Sequence, residues 1–115
     1  MATFWVAVVT DINNKTKPFC WAYHMKLKSE NPDDVFHLAD SLRSYFQERD
    51  ANHAVISSSA FVLVLLEEEI EINNLLFKLT VGTEHLGHQQ FDFKPWVKKH
   101  CEIVINRCGH ILRGF

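Results

Sequence analysis

Residues 19–28 alternate without a break: Phe19, Trp21, Tyr23, Met25 and Leu27 are apolar, and Cys20, Ala22, His24, Lys26 and Lys28 stand between them. Successive side chains of an extended strand point to opposite faces, so a period of two predicts a strand with one dry face and one wet face. That pattern belongs to an antiparallel sheet, because parallel strands are covered on both sides and read as unbroken apolar runs. Residues 3–12 are also β-branched and aromatic, and "INNKTKP" between the two runs reads as a turn. Asn13 and Asn14 tolerate left-handed backbone angles there, and Pro18 lacks the N–H that a strand interior would use. The chain is therefore expected to open with a hairpin.

The period then changes. In "ENPDDVFHLADSLRSYFQERD" the residues Val35, Leu38, Ala39, Leu42, Tyr45 and Phe46 recur at helical spacing, which predicts an amphipathic helix over 32–49. Asn31 is its expected cap and Pro32 its first residue, with Asp33 and Asp34 beside the unpaired N–H groups of the first turn. "HAVISSSAFVLVLL" returns to strand composition, with Ser57, Ser58 and Ser59 either a bulge or a tight connection. "EEEIEINNLLFKLTVG" reads as a hairpin about Asn73 and Asn74, although "LLEEEIEINNLL" also fits a helix. "TEHLGHQQ" reads as a loop and "QFDF" as a short strand.

The last segment raises a question of chemistry, because "HCEIVINRCGH" holds two cysteines and two histidines in eleven residues. Pro95 followed by Val97, Cys101, Val104, Cys108 and Ile111 at spacings of three and four predicts a helix with both cysteines on its apolar stripe. Seven residues of helix separate the two sulfurs by about 10.5 Å. Two ligands of one tetrahedral zinc lie roughly 3.5 to 4 Å apart. One ion cannot hold both, so the cysteines are read as small buried apolar side chains and no metal or cofactor is expected. A narrower alternative gathers Cys108 and His110, turned at Gly109, with the H-x-x-H pair His85 and His88. His24 and Cys20 lie about 13 Å apart along a strand and form no dyad.

One undivided domain over 1–115 follows from ordinary composition and the absence of repeats or linkers. The order ββαββ(β)α predicts an α+β fold: a single-layer, mainly antiparallel sheet of four to five strands carrying both helices on one face. The other face is then left to solvent or to a second copy of the chain in a homodimer. The longest apolar run, "AFVLVLL", has strand length and cannot cross a membrane as a helix. The first ten residues lack the basic start of a signal peptide, and three cysteines fit a reducing compartment, so a cytoplasmic protein is expected.

Charge is segregated along the chain. Residues 1–28 hold four lysines against Asp11, residues 29–92 hold twelve acids against three bases, and residues 93–115 hold five bases against Glu102. Lys15, Lys17, Lys26, Lys28, Lys94, Lys98, Lys99 and Arg107 form one basic face if the first hairpin and the last helix lie together. Phosphate-cradling glycine motifs and a nucleophile elbow are absent, Ser57 to Ser59 have no visible base, and Glu67, Glu68, Glu69 and Glu71 read as a solvated run, so an enzyme is not expected. The expected function is a small interaction module, of inhibitor, immunity-like or viral accessory type, that binds a partner protein through its aromatic hairpin or acidic middle. The alternative is RNA or DNA backbone binding through the basic residues, with Trp5 or Trp21 as a stacking platform if either faces outward.

Overall fold

The computed structural model describes residues 3–14, 18–27, 31, 33–58, 61–69, 83–93 and 95. They form β1 (Thr3–Thr10), β2 (Phe19–Leu27), α1 (Asp34–Glu48), β3 (His53–Ser57), β4 (Phe61–Leu66) and β5 (Thr83–Gln90). The five strands make one sheet in the order β3-β4-β1-β2-β5. Three of its pairings are antiparallel, and β1 with β4 is parallel. The architecture is thus α+β with a mainly antiparallel sheet. Two hairpins, β1–β2 and β3–β4, are joined through α1, and their strands β1 and β4 meet side by side at the centre.

The helix follows its apolar spacing, with Val35, Leu38, Ala39, Leu42 and Phe46 buried. It starts two residues later than expected. The Asn31 side-chain oxygen accepts from the Asp33 N–H at 3.1 Å, and the Asn31 carbonyl accepts from the Asp34 N–H. Asn31 therefore closes the turn that leads into the helix, and Asp33 occupies the capping position without a side-chain bond. At the other end, the Ala51 N–H reaches the Phe46 carbonyl and the Asp50 N–H reaches the Gln47 carbonyl, with Asp50 at φ 55°. Those two bonds across a left-handed residue are a Schellman terminus.

β4 explains why its sequence does not alternate. On the helix side, Val62, Val64 and Leu66 join Phe4, Val6 and Val8 of β1 and Tyr23, Met25 and Leu27 of β2 under α1. On the opposite side, Leu63 and Leu65 join Val9, Cys20, Ile56, Ile12 and Phe93 in a second core. A strand covered on both faces gains from apolar residues at every position.

Three expectations are corrected here. The face away from the helix is not open at its centre, because Val9, Leu63 and Leu65 have no exposed surface. After β5 the chain crosses onto that face, where Phe93 is buried and the Phe91 N–H donates to the Cys20 carbonyl. "TEHLGHQQ" is not a loop but the edge strand β5, hydrogen-bonded to β2. "QFDF" adds no separate strand, since β5 already ends at Gln90. Of the serine run, Ser57 ends β3, and Ser58 follows it, its N–H donating to the Phe61 carbonyl and its hydroxyl accepting from the Phe61 N–H. The hairpin expected about Asn73 and Asn74, and the last helix with Cys101 and Cys108, lie outside the described residues. No helix among the described residues is long and apolar enough to cross a membrane.

Candidate contact surface

The strand alternation that buries Tyr23, Met25 and Leu27 puts Phe19 and Trp21 on the same face of β2, yet these two are 42% and 36% exposed. Cross-strand register accounts for the row. Trp21 stands opposite Gln90 and Tyr23 opposite His88, so the β2–β5 edge carries a strip of aromatic and imidazole rings. Trp21 meets His88 edge-on at 5.6 Å between centroids, and Tyr23 lies 5.8 Å from His88 and 5.9 Å from His85.

His85 and His88 share this face because β5 is irregular. In a regular strand, residues three apart point to opposite sides. Here the register shifts at His24 and Met25 of β2: Met25 pairs with His85 and His24 with Gly87, leaving Leu86 as an extra residue. The bulge returns His88 to the side of His85, and the two rings lie parallel at 5.5 Å. Both are therefore strand residues, where a loop was expected.

The opposite face carries a second aromatic row, Phe61–Trp5–His24–Gly87, one residue from each of β4, β1, β2 and β5. The Trp5 and His24 rings stack at 4.4 Å with planes 13° apart. Trp5 remains 39% exposed. A side chain at Gly87 would meet nothing within 4 Å, so the end of this row is open. Lys26 shares the face and pairs with Thr3 on β1 and Glu84 on β5.

Among the basic residues expected to converge, only Lys26 is described. Lys15, Lys17, Lys28, Lys94, Lys98, Lys99 and Arg107 lie outside the described residues, as do Cys108 and His110. Among the described residues, no three His, Cys, Asp or Glu side chains are placed to hold a metal ion. Cys20 is buried and donates to the Pro18 carbonyl at 3.6 Å. Desolvation pushes its thiol from 9.0 up to about 12, so the thiolate that would make it a nucleophile is not present at neutral pH. The His24 ring stacks on Trp5.

Glu67 is not simply a solvated acid, because its carboxylate accepts from the Asn13 side chain at 3.1 Å. It also lines a cleft of about 530 Å³ beneath the end of α1, together with Tyr45, Arg49, Asp50 and Glu68. The Arg49 guanidinium covers the Tyr45 ring at 3.6 Å, forming one wall.

No family model, no curated protein and no solved structure matches the chain. The reading of its function therefore rests on its own residues.

Proposed function

We propose that the protein is a small non-enzymatic interaction module that binds a partner protein through the aromatic side chains of its β1–β2 hairpin. One observation carries this reading: Trp5, Phe19 and Trp21 all remain more than a third exposed on strands whose other large apolar residues are buried. Aromatic side chains are enriched in protein interfaces and dominate their energetics, whereas stability alone would bury them. Phe19 and Trp21 sit together on one face, with His88 and Gln90 supplying polar groups at their margin. The hairpin is the contact, and the helix with its two-sided core is the support.

The test compares capture by the wild-type chain with capture by Phe19→Ser/Trp21→Ser. A partner retained by the wild type and lost by the double variant, with the variant still folded by circular dichroism, supports the reading. Equal retention by both would sink it. Light scattering of the isolated protein reads whether the occupant is a second copy of this chain.

A second reading has an observation of its own. Trp5 faces outward on the side that carries His24 and Lys26, the arrangement a stacking platform beside a phosphate-binding lysine needs. It predicts retention on a single-stranded nucleic acid matrix that falls steeply with salt and weakens in Trp5→Ala. Passage without retention at low salt removes it.

A further inference from the structure

We infer that the sheet face opposite α1 holds a slot for one flat nucleobase of a single strand, stacked on the His24 ring above Gly87. The slot rests on the nucleic-acid reading of this face, and it places the base beside His24, one strand beyond Trp5. Ring geometry provides the first argument. Rings lying flat side by side cannot bring their centroids to 4.4 Å, so Trp5 and His24, with planes 13° apart, stand face to face across neighbouring strands. Strands lie about 4.8 Å apart, so the next place in this stack belongs to β5. Gly87 occupies it. A Cβ there would meet nothing within 4 Å, so the His24 ring, backed by Trp5, turns its other face to a gap floored by backbone. Every base has a flat face that stacks on such a ring.

Chemistry at the margins provides the second. Gln89 follows Gly87 on the same face of β5, opposite the small Ala22, and its amide offers a donor and an acceptor to a base edge. On the other side Lys26 and Glu84 stand opposite each other, one donating and one accepting. The aromatic side chain of a partner protein would leave most of these groups without a hydrogen bond, whereas the polar edge of a base meets them.

The experiment titrates a short single-stranded oligoadenylate into the isotope-labelled full chain and follows the His24 ring protons by NMR. A stacked adenine moves them upfield through its ring current, and His24→Ala weakens binding about tenfold. Gly87→Leu fills the slot and weakens binding by a similar factor, while Gly87→Ala, which makes the same backbone change with a single methyl group, keeps most of it. Adenosine moves the same protons at much higher concentration, because it brings one base and none of the strand. Absence of the upfield shift overturns the slot even where Gly87→Leu fails to fold. Oligomer binding that His24→Ala and Gly87→Leu leave intact also overturns it, with the Trp5 platform still standing, whereas a wild type that binds no oligomer removes both. Adenosine bound as tightly as the oligomer makes a free nucleoside the occupant, and N-acetyltryptophanamide bound more tightly than adenosine makes it a protein side chain; either result overturns the proposal.

Discussion

The two halves of the sheet differ in how far they bury their apolar side chains. In the half made by β3, β4 and α1, every residue from Val62 to Leu66 is buried, and the helix seals one side with Leu38, Leu42 and Phe46. In the half made by β2 and β5, the apolar residues Phe19, Trp21 and Leu86 stay exposed, and imidazole rings line the strand pairing. Even the edges differ. Bonds at Ser58–Phe61 and Asn52–Glu67 fix the β3–β4 ladder so that Val55 turns its carbonyl outward, and Arg43 covers it with Nε at 3.3 Å and Nη2 at 3.0 Å. A covered edge carbonyl resists pairing with another chain. One half is closed as a scaffold, and the other leaves its aromatic side chains accessible.

The sharpest way to break this contrast is to truncate one aromatic residue in each half. Phe46→Ala removes a ring that is 1% exposed between the helix and the sheet, and should cost about 3 to 5 kcal/mol in urea unfolding. Trp21→Ala should cost less, about 1 to 2 kcal/mol, since more than a third of the side chain is already exposed and contributes no burial. Similar losses at both positions would mean that Trp21 is structural, and the case for a contact surface would fall with it.

Cys20 tests the closed core from the β2 side. Its thiol titrates at about 12 in the folded state against 9.0 otherwise, so the folded chain holds the proton more tightly. A raised folded value means stability that is complete below pH 9 and lost as pH climbs toward 12, by up to about 1.4 kcal/mol per unit. The difference in slope between the wild type and Cys20→Ala above pH 9 isolates this group from other titrations. Identical slopes would mean that water reaches the sulfur.

How much of this was legible beforehand depended on whether one periodicity dominated. The helix was readable because five buried positions recur at its spacing, and β2 because Tyr23, Met25 and Leu27 alternate with polar neighbours. β5 was hidden for two physical reasons: its side chains are polar on an exposed edge, and the Leu86 bulge breaks the period of two. β4 was read as a strand from "FVLVLL", but its burial on both faces was not, since the far face was expected to be open, and nothing local says that its parallel neighbour is β1. Such pairing is decided by tertiary packing. The same limit held at the site. The aromatic hairpin was visible as residues, whereas which rings stay exposed, and that His85 and His88 share a face, required the register.

Arg43 bears on the edge half of the comparison. Arg43→Ala strips the guanidinium from Val55 and from Asp40, with which it pairs at 2.6 Å. The expected loss is about 1 to 2 kcal/mol, because a hydrogen bond from a charged donor to a partly buried carbonyl is removed. Analytical ultracentrifugation should also register greater self-association, as an outward carbonyl becomes available. A variant that stays monomeric at high concentration would show that another feature of β3 guards the edge.

The smallest effect lies where the scaffold half turns. Asp50 sits at φ 55°, in the left-handed region that costs a residue with a Cβ some strain, and it does so at the C-terminal position where glycine is usual. Glycine removes that strain but also gives the unfolded chain more freedom, and the two effects oppose each other. Aspartate already tolerates the left-handed region better than most residues, so the balance should favour Asp50→Gly by only about 0.5 kcal/mol. The carboxylate matters too. It lies beside the negative end of α1, which has no basic residue in its last turn, and removing it relieves that repulsion. Asp50→Asn separates the two contributions, because it keeps the side-chain shape and removes the charge. If Asn recovers most of the gain, the dipole is the larger part; if only Gly does, the backbone is. A loss of stability in both would mean that the carboxylate contributes to the cleft it lines with Arg49 and Glu67.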